Sequence, residues 1–170
     1  MFSKIIMLVF VLATFSTLMG FMSLTKNRMD ADSADALTMQ IKDSIETALH
    51  ASTVSSQAVV PIPYSLVVSS TGSEASVPKP YTVTVGASGG TVYAAIGWGD
   101  SPSSYVAASS FIVDTAKVSI TNTEDLTFSS RQYKYFVVLK EADPQIKLCF
   151  QACNTTVFGS SASCVGCMSP

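Results

Sequence analysis

Beyond residue 52 the hydrophobic pattern of this 170-residue chain changes its period from 3.6 to 2, and Val, Thr, Tyr and Phe begin to alternate between clusters of Gly, Pro, Asn and Asp. A period of two sends successive side chains to opposite faces of a strand, so the chain from residue 53 onward is expected to fold as a β-rich body. Residues 59–69, interrupted by Pro61 and Pro63, read as an edge strand or an extended entry, because proline cannot donate to a sheet ladder. Residues 70–80 read as a polar loop. Tyr81-Thr82-Val83-Thr84-Val85, a turn through residues 86–90 and the return over 91–96 form the clearest hairpin. Further strands are expected at 110–113, 117–121, 126–128, 133–139 and 145–150, with turns at 122–125 and 141–144. Seven or eight short strands at this spacing suggest an antiparallel sheet curled on itself or a small sandwich.

Ahead of the switch, Leu37, Ile41, Ile45 and Leu49 recur every four residues with Ala34 and Ala48 beside them, a stripe about 120° wide on a helix. Asp35, Lys42, Asp43, Glu46 and His50 take the other side. Asp30, Asp32 and Asp35 near the start suit the positive end of the helix dipole. Four large aliphatics represent about 6–12 kcal/mol of burial, so this helix, over residues 29–52, is expected to dock on the β body or on neighbouring copies of the chain.

Residues 5–25 carry no charge, and 21 of them in a helix span about 31 Å, the thickness of a hydrocarbon core. The run exceeds a secretory signal's apolar core, and no small-x-small cleavage site follows it. An uncleaved anchor in residues 1–28 is therefore expected, with the bilayer as its partner and the remainder outside. Phe21 to His50 contain no Pro or Gly, so the anchor and the amphipathic stretch are compatible with one long helix or with a hinge at 26–32. The fold class expected is α+β: a long N-terminal helix, first membrane-spanning and then amphipathic, packed on an antiparallel sheet or small sandwich. Composition agrees with an exterior surface: only 13% of residues are charged, and 26 Ser and 16 Thr stand where a cytosolic protein would more often carry charge. All 12 acids but only 7 of the 10 bases follow residue 28, and a body of net charge −5 argues against a nucleic-acid partner.

The four cysteines sit in the tail, residues 145–170, as Cys149-x3-Cys153 and Cys164-x2-Cys167. That spacing is compatible with a zinc knuckle or with two disulfides, and an exterior location favours disulfides. Nested pairing, Cys149 with Cys167 and Cys153 with Cys164, has position numbers adding to 316 and 317, as an antiparallel hairpin with a one-residue bulge requires. A local Cys164–Cys167 pair is the competing arrangement. Asn154-Thr155-Thr156 is a glycosylation sequon.

Little points to catalysis. The sole histidine, His50, falls on the polar face near a helix end, no nucleophile motif accompanies it, and Glu124-Asp125 is explained by a turn. No cofactor or metal is expected, and the chain reads as a non-enzyme. Trp98, in Gly97-Trp98-Gly99-Asp100-Ser101-Pro102, and Tyr105 lie on an expected loop able to stack on a sugar or a partner. The competing reading folds Trp98 back over the sheet edge.

An apolar N-terminal helix, an amphipathic extension bearing Leu37, Ile41, Ile45 and Leu49, and a Ser/Thr-rich β body resemble type IV pilin-like proteins, particularly small archaeal surface proteins. The resemblance runs through Ser44-Ile45-Glu46-Thr47-Ala48-Leu49, Val60-Pro61-Ile62-Pro63, Pro80-Tyr81-Thr82-Val83-Thr84-Val85 and Gly90-Thr91-Val92. In that family a basic leader precedes the apolar helix; here Met1-Phe2-Ser3-Lys4 is a stub, and residues 5–25 hold no acid. The resemblance implies a membrane-anchored cell-surface structural protein, a filament subunit associating with like subunits. A tethered, adhesin-like binding module using the Trp98 loop is the alternative.

Overall fold

The computed structural model describes residues 32–69, 76–100, 104–142, 144–155 and 163–167. The expected membrane segment at 5–25 lies outside them, as does the expected hinge at 26–32 except for Asp32. The described residues form one helix, α1 over 32–50, and eleven strands. This corrects the α+β expectation of a long helix packed on a sheet: the fold is mostly β, and among the described residues no helix is long and apolar enough to cross a membrane. The physical reason is the change of period. The apolar repeat that sustains a helix stops at Leu49, and every regular element among the described residues from 55 onward is a strand.

One sheet is ordered β1 (Ser55–Pro61), β9 (Tyr135–Ala142), β10 (Ile146–Cys153), β11 (Cys164–Gly166), with β7 (Val118–Ile120) joining β10 in parallel. A second is ordered β6 (Ala107–Ile112), β5 (Thr91–Trp98), β4 (Tyr81–Ser88), β8 (Leu126–Ser129). A separate two-stranded ribbon pairs β2 (Leu66–Ser69) with β3 (Ser76–Lys79), so part of the expected loop at 70–80 is strand. The β4–β5 hairpin turns on Gly89 and Gly90 alone, with φ of 58° and 81°. Two consecutive positive φ values give the twist that a two-residue hairpin requires.

The inward residues of both sheets share one core. Val83, Val85, Ile96 and Phe128 come from the four-stranded sheet; Val60, Phe136, Val138, Leu148 and Phe150 come from the other. Phe136 stacks on Phe128 at 6.3 Å between ring centroids and meets Phe150 at 6.0 Å, joining the two layers. Tyr81 is fully buried, donates to Pro63 O at 2.7 Å and has its phenol pKa pushed up by burial.

Helix α1 contributes Ala34, Leu37, Ile41, Ile45 and Ala48 to this core, with Leu49 packed at its margin. Its middle is held to β6, where Ser109 Oγ donates to Thr38 O at 2.8 Å. Its end is held to β1 and β9. Ser56 Oγ donates to Ala48 O at 3.3 Å, and Lys140 Nζ donates to Leu49 O at 3.0 Å and to Ala51 O. Lys140 is only 6% exposed and occupies an inward position of β9, in phase with Phe136 and Val138. A cation there supplies donors to one last-turn carbonyl and to one just past the helix, and it faces the negative end of the helix dipole.

Replacing Lys140 with Met keeps the stem's packing and removes both donors. We expect a loss of about 1.5–3 kcal/mol, the worth of hydrogen bonds from a charged group. In urea this would be read as a lower unfolding midpoint at unchanged slope.

Candidate functional site

Strand β10 is buried along most of its length, so every peptide group on the edge that turns away from β9 needs a partner. Three different pieces of chain supply them. At the start, β7 runs parallel: Ile146 N–H reaches Lys117 O at 3.1 Å, and Thr121 N–H reaches Leu148 O at 2.9 Å. At the end, β11 runs antiparallel, with Cys153 opposite Cys164 and Gln151 opposite Gly166. Between them the Asn122 carboxamide acts as a surrogate strand residue: Phe150 N–H donates to Oδ1 at 2.8 Å, and Nδ2 donates to Phe150 O at 3.0 Å.

The cysteines lock this arrangement. Cys149, Gln151 and Cys153 lie at every second position of β10 and share its outer face. Cys149 is bonded to Cys167 and Cys153 to Cys164, the nested pairing, and no cysteine is left free. The β10–β11 register pairs residues whose numbers add to 317, whereas Cys149 and Cys167 add to 316; the offset falls at Gly166, where φ is +116°. A Cβ on Gly166 would collide with Phe150 O and come within 3.1 Å of Gln151 Cα. Only glycine lets the tail turn this close to β10. Gln151 Nε2 donates to Cys167 O at 2.6 Å, and its buried Oε1 has no partner among the described residues.

Beside the staple lies a cleft of about 370 Å³ whose walls include Thr123, Glu124, Thr127, Gln132, Tyr133 and Val165. Hydroxyls and amides dominate it. Among the described residues no three His, Cys, Asp or Glu side chains are grouped to hold a metal ion. Comparison with known protein families, characterised proteins and solved structures finds no match to this chain.

The other sequence candidates are placed as follows. Asn154 is exposed just after β10, its N–H donating to Ser163 O at 2.8 Å. Thr156 of the sequon, and Val157, Phe158 and Met168 of the tail, lie outside the described residues. Exposed His50 closes α1. Trp98 and Tyr105 lie on opposite faces of the sheet, and residues 101–103 between them are outside the described residues. Trp98 pairs in register with buried Tyr81 and packs on the core side of β5. Tyr105 lies over the opposite face, its hydroxyl 3.4 Å from Thr84 Oγ1. Strand alternation through Trp98 dictates the separation.

That outer face carries a contact not read from the sequence. Tyr93, Gly86 and Asp125 lie in one row across β5, β4 and the start of β8. The Tyr93 hydroxyl donates to Asp125 Oδ2 across the glycine. A Cβ at Gly86 would sit 2.6 Å from Asp125 Cγ and 2.8 Å from Tyr93 Oη, so the bond requires glycine between them. In the sequence, Gly86 reads only as hairpin punctuation; its position opposite Tyr93 follows once the turn is placed at Gly89-Gly90.

Two measurements follow. Non-reducing peptide mapping should recover the 149–167 and 153–164 pairs. Replacing both Cys149 and Cys167 with Ser should lower stability by about 3 kcal/mol, from the entropy of the loop released in the unfolded chain. The Tyr93 phenol is pushed up to about 12, first by its hydrogen bond to Asp125, then by burial and by the carboxylate's charge. A pKa raised above its unfolded value of 10.0 contributes stability that is complete below pH 10 and lost as pH climbs through 12. The parent should therefore lose more stability between pH 10 and 12 than Tyr93→Phe, measured by thermal unfolding at each pH.

Proposed function

We infer that this chain is a non-enzymatic, pilin-like structural protein of the cell surface, tethered to the membrane by residues 5–25 and associating with like subunits. The observation that carries the exterior part is the disulfide staple: two disulfides fit an extracellular protein. The tether rests on the uncharged 21-residue stretch at 5–25, which precedes a body rich in Ser and Thr. A structural role agrees with a site built from backbone satisfaction and cross-links, in which the sole histidine stands exposed at a helix end.

One observation favours a second reading, a tethered adhesin-like binding module. Tyr105 is 55% exposed and lies on the same face of a sheet as Tyr93 and Asp125, where its ring could meet a partner.

Mass spectrometry of the native N-terminus, together with membrane fractionation, tests the tether. We expect residues 5–25 to be retained and the protein to sediment with membranes or with shed filaments. A mature chain that begins after residue 25 and stays in the soluble fraction would overturn it. Filaments containing the protein favour the structural role; a monomer whose head binds a ligand favours the second.

A further inference from the structure

The free sheet edges of this fold are treated unequally. The edge of β10 is covered by β7, Asn122 and β11, as described. Strand β6 opens on a bulge: Ala107 is the residue in register with Ile96, yet Val106 N–H also reaches Ile96 O at 2.8 Å, so two residues oppose one. Strand β8 is four residues long and runs into Arg131, which pairs with Asp100 at 3.5 Å. Strands β2 and β3 are equally short, and β3 carries Pro78 and Lys79. Short length, bulges, prolines and charges are the devices that stop an edge from pairing with another chain.

Strand β1 has almost none of them. Its seven residues, Ser55-Ser56-Gln57-Ala58-Val59-Val60-Pro61, carry no charge and keep an unbroken register with β9. The ladder's ends fix which peptide groups it leaves free. Ala142 N–H bonds to Val54 O and Ile62 N–H to Lys134 O, so even-numbered residues bond inward to β9. Ser55, Gln57 and Val59 therefore point N–H and C=O away from the sheet, and Pro61 points only a C=O. The same odd-numbered residues are exposed, Val59 at 40%.

We propose that β1 pairs with β1 of a second copy, antiparallel, about a two-fold axis at Gln57. In that register Gln57 faces Gln57, and Ser55 faces Val59 twice over. Three pairs exchange both bonds, and Pro61 falls opposite Thr53, beyond the strand, where its missing N–H forfeits nothing within β1. Shifting the register toward Pro61 sets a residue that cannot donate against Ser55 or Gln57. Shifting it the other way drops a pair. The two five-stranded sheets become one continuous sheet. Across the outer face the row reads Glu141, Ser55, then Val59 and Val137 of the second copy, so no like charges become neighbours even though each body is acidic. This proposal gives a geometry to the association of like subunits and rests on that part of the proposed function.

Sedimentation of the full chain in detergent tests the pairing. The parent should dimerise on concentration. Gln57→Lys and Gln57→Glu should each weaken self-association more than about tenfold, since like charges then meet on the axis. An equimolar mixture of the two should associate again as mixed pairs, a rescue that a folding defect could not produce. A parent that stays monomeric, single variants that associate like the parent, or a mixture that stays apart would each overturn the proposal. Membrane retention and the mass of the N-terminus do not involve residue 57, so failure here leaves the tether standing, and failure of the tether leaves the pairing testable.

Discussion

Burying β10 on both faces is the constraint from which much of this structure follows. A strand so enclosed cannot leave peptide groups to water, and each one left unpaired would cost about twice what a satisfied bond contributes. No single neighbour covers its free edge. The chain therefore crosses from the four-stranded sheet to lay β7 along the first half, lends the Asn122 side chain at Phe150, and returns with β11 along the last three residues. Each of these pieces is too short to stay in place by burial alone. The disulfides hold β11, the shortest in covering apolar groups, and Gly166 allows the tail to lie against Phe150 and Gln151. Strand, amide and sulfur solve one problem together.

The helix is governed by the same accounting at its own end. Its stripe of Leu37, Ile41 and Ile45 joins the core, which leaves its C-terminal carbonyls beside the inner face of β9. Lys140 answers from an inward position of β9. The aliphatic stem fills core volume next to Val138, and the ammonium spends its charge on carbonyl oxygens rather than on a carboxylate. The helix thereby becomes tied to β1 and β9 at one end and to β6 at its middle, linking the edges of both sheets.

What the sequence made legible was whatever repeats along one segment. The stripe at four-residue spacing, the alternation from Tyr81 to Val85 and the two-residue phase of Cys149 and Cys153 are local patterns, and the structure uses each of them. The nested disulfides were legible because pairing across a hairpin conserves the sum of positions. Contacts set by the meeting of distant segments were not. Nothing near Asn122 announces a parallel crossing to β10, and Asn122 reads simply as a turn residue. Lys140 was half visible: a lysine at the inward phase of Phe136-x-Val138-x-Lys140 is an anomaly, but its partner lies 91 residues away at Leu49. Trp98 was left between two readings because Gly97 and Gly99 suggest a loop; the hairpin's register carries β5 through Gly97 and ends it at Trp98, which packs on the core. The α+β expectation gave too little weight to the strand pattern that fills most of the described chain.

The outer face of the four-stranded sheet shows how a chain with few charges satisfies a polar surface. Thr82 and Thr84 are almost fully buried although they point away from the core, because Gly99 and Tyr105 fold over them. Thr82 Oγ1 donates to Gly99 O at 2.6 Å, Thr84 shares a bond with Thr127 at 3.2 Å, and Ser129 Oγ donates to Asp100 at 2.8 Å. A β-branched hydroxyl suits a strand's backbone and provides both a donor and an acceptor, so a row of them can close on itself without desolvating an ion. Lysines or glutamates in the same places would need water or a counter-charge, which a buried position withholds. The abundance of Ser and Thr is therefore structural as well as superficial: it lets β4 be buried on both faces while its outward side remains polar.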